Sequence, residues 1–409
     1  MNVLGRMLTV ALAVFVYRQS SADGANLFAT TWSEGKQIDA ERALPPTSFY
    51  ESPSRATGGD PGSLIRSEPA EEYSLPAGVT ATRILYHTRT SAGEDAISSG
   101  VVLVPYGTPP TGGWPVIAWS HGTSGVAHSC APSQMRSLFY NWEGLYEYVM
   151  LGFAVVATDY AGLGTEGRHA YLDMLGNGAD VIYSVPAARV AVANLSSKWV
   201  VVGHSQGGLS SLGAAQLEAE RNDPGYLGTV VLAGASDLED VIDAGLAARA
   251  PILNGLLAFV VYGFQTGSPQ LAAENVLTGA AAKQYGLFVT DGCSAASGAF
   301  TELPADGMYR PDWKTDSSVQ VMLKRGRPGI RRARGPLLLV TGGADPMFTA
   351  RASKTVSERL CHSGERVQRS VYPGLGHDPL VYGSLSEQIK WITGRFSGAP
   401  APNNCDSTN

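Results

Sequence analysis

The sequence predicts an α/β chain built on a mostly parallel central sheet flanked by helices, with a helical cap inserted between two later strands. Three observations carry this. Short, almost wholly apolar runs at 116–120, 154–158, 199–203, 230–233 and 337–341 end in glycine or polar turns, as strands buried on both faces do. Stretches with helical spacing, 179–194 and 207–220, lie between them, and strands alternating with helices form a doubly wound sheet. The alternation lapses between 236 and 334, an interval too long to be structureless.

The elements follow in order. Residues 1–22 read as an export signal: Arg6 gives a positive start, 7–17 is apolar, and Ser20, Ser21 and Ala22 set small residues before Asp23. That apolar run is far shorter than the roughly 20 residues a membrane span needs. Residues 23–78 lack periodicity and carry turn signals at Pro45-Pro46, Gly58-Gly59 and Asp60-Pro61-Gly62, so an extended arm laid over the domain is expected. Runs at 80–90 and 99–105, separated by Ser91-Ala92-Gly93-Glu94, predict an antiparallel pair. The core is thus expected over 79–235 and 335–409, and the cap over 236–334. The cap opens with helical spacing at 238–250 and continues through the apolar run 252–264. It closes on a basic cluster from Lys324 to Arg334, read as solvated loop.

At 409 residues, 44% hydrophobic and 16% charged, the composition is that of a globular chain. A formal net charge of -6 offers no positive field for nucleic acid. Cys130, Cys293, Cys361 and Cys405 form an even set, which in an exported chain predicts two disulfides, with three pairings open. No C-x-x-C or His-x-His spacing suggests a metal site, and nothing calls for a nucleotide or redox cofactor.

The chemistry is concentrated in a few residues. The strand 199–202 runs into Gly203-His204-Ser205-Gln206-Gly207 and a helix, which is a nucleophile elbow in the context that defines it. The turn is so tight that its flanking residues must be small, and it raises the serine hydroxyl above the sheet edge at a helix N-terminus. A serine needs an oriented base, and in the α/β-hydrolase fold the chain order is Ser, acid, His. Asp345 follows the strand 337–341, at the edge where open α/β sheets place their sites. His377 follows the last predicted strand, 367–372, on a glycine-rich turn, and the interval between the two accommodates one helix (348–361) and that strand. Asp237, which also follows a strand, is the fallback acid. The oxyanion of an acyl-transfer intermediate needs two aimed donors: the Gln206 amide, and the Thr123 amide in the loop His121-Gly122-Thr123, with Gly122 as the alternative. His121 reads as a loop-stabilising side chain and Asp159 as a turn anchor. From the apolar run in the cap, Leu256, Phe259 and Val260 are candidate substrate-binding residues.

Taken together, the elbow, Asp345, His377, the motif His121-Gly122-Thr123…Cys130-Ala131-Pro132-Ser133 and the arm Phe49-Tyr50…Pro61-Gly62-Ser63-Leu64-Ile65-Arg66 resemble the secretory lipase family, which includes the yeast lipase A type and bacterial relatives. The resemblance covers most of the mature chain. It implies a serine triad, a large helical cap between the later strands, and hydrolysis of acylglycerols or simpler carboxylic esters. It also implies that Cys130 pairs with Cys293 and Cys361 with Cys405. The chain departs from the yeast type, which carries an acidic residue in the oxyanion loop where this one reads His121-Gly122-Thr123. The expectation is a secreted, monomeric esterase or lipase without cofactors, acting on a small-molecule or lipid ester and touching a lipid interface transiently. A same-fold hydrolase of aryl, polyester or amide bonds is the alternative. A non-catalytic binding protein on this scaffold would typically lack a triad member.

Overall fold

The computed structural model describes residues 31–51, 58–139, 144–250, 253–300, 303 and 307–405, so the export signal expected over 1–22 lies outside the described residues. Among the described residues, nine strands form one sheet: β1 (Leu64–Pro69), β2 (Thr80–Arg89), β3 (Asp95–Val104), β4 (Trp114–Ser120), β5 (Ala154–Thr158), β6 (Leu195–His204), β7 (Tyr226–Leu232), β8 (Leu337–Gly342) and β9 (Val367–Tyr372). Their spatial order is β1-β2-β3-β5-β4-β6-β7-β8-β9. The first three strands are antiparallel, and from β5 to β9 every neighbouring pair is parallel. The helices, in chain order, are α1 (Trp32–Arg42), α2 (Leu145–Met150), α3 (Met174–Ala191), α4 (Gln206–Arg221), α5 (Leu238–Ala248), α6 (Asn254–Gly267), α7 (Gly279–Asp291), α8 (Ser317–Arg325), α9 (Ala350–His362), α10 (Pro379–Gly383) and α11 (Leu385–Phe396).

The apolar strand runs have a simple cause. Side chains alternate between sheet faces, and here both faces are covered, so every position must be apolar. On one face Val116, Ala118, Trp199 and Val201 pack with Val181 and Val185 of α3. On the other, Ile117, Trp119, Val200 and Val202 join Tyr148 of α2 and Ile392 of α11. Among its described residues, the interval between β7 and β8 supplies α5 to α8 and no strand of the sheet. Its apolar residues, Leu257 and Phe264 among them, run without a break into Leu209 and Leu212 of α4 and Leu337 of β8. The insertion therefore shares its core with the sheet layer beneath it.

The N-terminal arm departs from expectation. It contains helix α1, capped by Thr31, whose hydroxyl accepts from the Glu34 amide at 3.2 Å. It also adds β1 to the sheet, paired antiparallel with β2 from Leu64↔Tyr86 to Pro69↔Thr82. Helix α1 shows no apolar stripe because it docks backbone to backbone. A Cβ on Gly35 would lie 2.4 Å from the Ala296 Cα in the insertion. Strand β3 likewise begins at Asp95, earlier than the apolar pattern indicates, because Asp95 and Arg89 pair at the turn end of the hairpin.

Two disulfides tie distant segments together. Cys130, beyond β4, is bonded to Cys293, beyond α7, across a sequence separation of 163. Cys361 at the end of α9 is bonded to Cys405, 44 residues on, and holds the C-terminal tail where Asn404 donates from its amide to the Val367 carbonyl at 2.9 Å.

Candidate active site

Strand β6 ends at His204 and α4 begins at Gln206, so Ser205 alone makes the turn. Its backbone sits at φ 59°, ψ -120°, a strained geometry for a residue with a side chain. The turn closes so tightly that a Cβ on Gly207 would lie 1.9 Å from the Ser120 carbonyl oxygen. Only glycine fits there, which is the physical content of the elbow motif.

Strands β8 and β9 deliver the partners. The Gly343 amide donates to the Tyr372 carbonyl at 2.8 Å and the Ala344 amide to the Leu375 carbonyl at 3.0 Å, stitching the two loops together. This brings Asp345 and His377 side by side. His377 Nδ1 lies 2.6 Å from Asp345 Oδ2, and His377 Nε2 lies 2.8 Å from Ser205 Oγ. The other carboxylate oxygen, Oδ1, accepts from the Met347 and Phe348 amides at 2.9 Å each. Burial opposes ionisation of Asp345, but the His377 ring and these two amides outweigh it and hold the carboxyl below its ordinary value. Because Oδ2 can only accept, Nδ1 carries the proton and Nε2 faces the serine as an acceptor. The Phe348 ring lies nearly parallel to the His377 ring, 5.4 Å away.

The remaining sequence candidates fall in distinct places. The Gln206 amide heads α4, where N–H groups have no intrahelical partner. Thr123 and Gln206 line the same cleft as Ser205 and His377. Leu256 and Val260 also line it, together with Leu257, Ile242 and Met347. Phe259 does not line it. It is fully buried in the insertion, stacked on Phe288 with ring centroids 4.6 Å apart, because the α6 face it occupies turns toward α7. The cleft encloses about 410 Å³, its open mouth included, and is mostly apolar.

Asp237, the fallback acid, is engaged elsewhere: Arg359 donates to its two oxygens at 2.6 and 2.8 Å. His121 is buried, with Nε2 3.2 Å from the Asp159 carbonyl, and burial pulls it down to about 4. Asp159 takes the Ser133 amide at 2.8 Å and the Ser99 hydroxyl at 2.6 Å, and burial pushes it up to about 6. His204, Asp378 and His377 present possible ligand atoms within 4.8 Å of one another, a grouping able in principle to hold a metal. Both ring nitrogens of His377 already face Asp345 and Ser205, and His204 Nε2 lies 3.3 Å from the His377 carbonyl.

Sequence reasoning missed His169 and Tyr171, which touch the side chains of Gln206 and Thr123. No motif marks either. It also missed Met347 and Phe348, although their place directly after Asp345 in the same turn was a usable signal.

Comparison with known families bears directly on this arrangement. A family model described as secretory lipase matches residues 133–404, a span that contains Ser205, Asp345 and His377. The chain belongs to the secretory lipase family. It is a carboxylic ester hydrolase of the lipase or esterase kind. Among solved structures, the chain is similar to lipase A of Candida antarctica in its closed state, with a TM-score of 0.72 at 16% identity, covering 90% of this chain and 92% of that one. It is also similar to the ligand-bound rice cell wall degrading esterase LipA from Xanthomonas oryzae, with a TM-score of 0.65 at 19% identity over 83% and 97% of the two chains. At these identities the likeness is one of fold, the α/β-hydrolase fold. A sequence comparison with curated proteins gave no match.

Proposed function

We propose that this secretory lipase is an exported serine esterase that works through an acyl-enzyme. The observation that carries the reading is the unbroken line Asp345–His377–Ser205, with contacts of 2.6 and 2.8 Å, ending on the floor of an apolar cleft. Ser205 Oγ attacks the ester carbonyl carbon as its proton passes to His377 Nε2. Asp345 fixes the ring tautomer and stabilises the imidazolium that forms. Charge collects on the carbonyl oxygen, and the Gln206 and Thr123 amides are the donors that meet it. His377 then gives its proton to the departing alkoxide, and the alcohol leaves the acyl group on Ser205. Water, deprotonated by His377, attacks this second ester. The carboxylic acid departs and Ser205 is restored.

The cleft argues for esters with an apolar part. Leu256, Leu257, Val260 and Ile242 offer dispersion contacts and no hydrogen bonds, so they suit an acyl chain or lipid tail. Export is supported by two disulfides, which persist in oxidising compartments. The reading includes a monomer that touches a lipid interface transiently. No helix of the described residues is long and apolar enough to cross a membrane. A panel of p-nitrophenyl esters, triacylglycerols, feruloyl esters and peptides tests the reading. Ester turnover that disappears in Ser205→Ala supports it, and turnover confined to peptides contradicts it.

A further inference from the structure

An oxyanion pocket works only if its donors are aimed before charge develops, with a tolerance of tenths of an ångström. The Gln206 amide has the helix α4 behind it. The Thr123 amide lies in a loop and needs another support. Both residues also carry polar side chains, and these are gripped by one short segment between β5 and α3.

His169 Nε2 lies 2.9 Å from Gln206 Nε2, which also donates to Asn177 Oδ1 at 3.3 Å. Two residues on, the Tyr171 hydroxyl lies 2.7 Å from Thr123 Oγ1. The segment is braced internally: the Tyr171 amide donates to the His169 carbonyl at 3.0 Å, and the two rings meet edge to face at 6.2 Å. His169 also stacks on Tyr160 at 5.6 Å, and Tyr160 donates to the His121 carbonyl at 2.8 Å, in the oxyanion loop itself. The protonation pattern is consistent. His169 Nδ1 faces the Ala161 carbonyl at 3.3 Å and so carries the proton, which leaves Nε2 to accept from the Gln206 amide group. From the other side, Ser294 donates from Oγ to the Thr123 carbonyl at 2.6 Å, one residue beyond the Cys130–Cys293 disulfide. Phe259, displaced from the cleft, meets Tyr171 edge to face at 5.9 Å.

We propose that His169 and Tyr171 are positioning residues that fix the two oxyanion-stabilising amides relative to each other, His169 through the Gln206 side chain and Tyr171 through the Thr123 side chain. This rests on the reading of Ser205 as nucleophile with the Gln206 and Thr123 amides as its oxyanion donors. The His169–Gln206 contact is buried, with His169 0% exposed and Gln206 1%, so it holds its partner without competition from water; the Tyr171–Thr123 contact is partly buried at the edge of the cleft. Losing an oxyanion donor outright costs on the order of 10²–10³ in kcat, so a donor left in place but loosened costs about tenfold.

The test uses Tyr171→Phe, His169→Ala and His169→Gln in the full chain. Each is assayed on p-nitrophenyl butyrate and for inhibition by a trifluoromethyl ketone, whose adduct with Ser205 carries the tetrahedral oxyanion. Tyr171→Phe and His169→Ala are expected to lower kcat about tenfold with KM within about twofold, and to weaken the ketone in proportion to kcat/KM. His169→Gln, whose Oε1 replaces the accepting nitrogen, is expected to recover most of the loss. Tyr171→Phe removes a single oxygen and keeps the packing, so it reports even if His169→Ala fails to fold. Wild-type kcat in folded Tyr171→Phe, or a kcat loss with ketone affinity unchanged, overturns the proposal. Ser205→Ala run alongside separates the two levels. If it is inert while Tyr171→Phe matches wild type, only the positioning role fails; if it still turns over ester, the nucleophile reading fails.

Discussion

Asp345 reaches His377 with one oxygen, Oδ2 to Nδ1 at 2.6 Å, while its other oxygen is held by the amides of Met347 and Phe348. The carboxylate is thus fixed by its own turn before it fixes the ring. Asparagine at 345 keeps the shape but removes the charge and permits the wrong tautomer, so Asp345→Asn is expected to lower kcat by roughly 10³–10⁴. The pH dependence has a defined sign. The carboxyl lies lower in the folded protein than its unfolded value of about 3.9, so it contributes stability above that value and loses it as pH falls through the folded one. The Tm deficit of Asp345→Asn should therefore shrink between pH 7 and pH 3, as thermal denaturation at both pH values would reveal.

Asp237 provides the contrast. It also follows a strand, yet both of its oxygens are taken by Arg359, which joins the start of α5 to α9. Asp237→Asn is expected to cost about 1–3 kcal/mol of stability through the loss of a charge-assisted bidentate pair. Its kcat per folded molecule should match wild type in a steady-state assay; a kcat loss resembling that of Asp345→Asn would reassign the acid.

Leu256 is the half-buried wall of the cleft, and a larger side chain there has room to intrude without disturbing the core. Leu256→Trp is expected to lower the kcat/KM ratio of p-nitrophenyl octanoate to acetate about tenfold, the scale on which apolar pockets discriminate. An unchanged ratio would place the acyl chain elsewhere.

Asp180 makes a second pH argument with the opposite sign. Burial pushes its carboxyl up to about 7, although one oxygen accepts from the Ala161 amide at 3.1 Å. The unfolded chain ionises it near 3.9, so its cost to stability is absent at pH 4, grows as pH rises toward 7, and is constant above. Asp180→Asn removes that cost. Its Tm relative to wild type should be higher at pH 8 than at pH 4, and a gap independent of pH would contradict the argument.

What was legible in the sequence follows from the physics of each element. Strands β4 to β8 are buried on both faces, so their composition announces them, and the elbow does so because Gly207 has no alternative against Ser120. Asp345 and His377 follow from strand ends and chain order. Helix α1 was not legible, because its docking depends on Gly35 meeting the Ala296 backbone rather than on an apolar stripe. Strand β1 is an edge strand of mixed polarity, which leaves no alternation to read. Phe259 shows the limit for an apolar run: spacing places residues on a helix but does not say which face meets the substrate and which meets α7. His169 and Tyr171 act through side chains of residues distant in sequence, Gln206 and Thr123, and nothing local to them signals it.

The central claim is that Ser205 forms a covalent bond to the substrate carbonyl, and a fluorophosphonate tests it most directly. Intact mass and peptide mapping should find one adduct per chain, on Ser205, appearing in step with loss of esterase activity and absent from Ser205→Ala. An adduct on another residue, or full ester turnover in Ser205→Ala, would contradict the account.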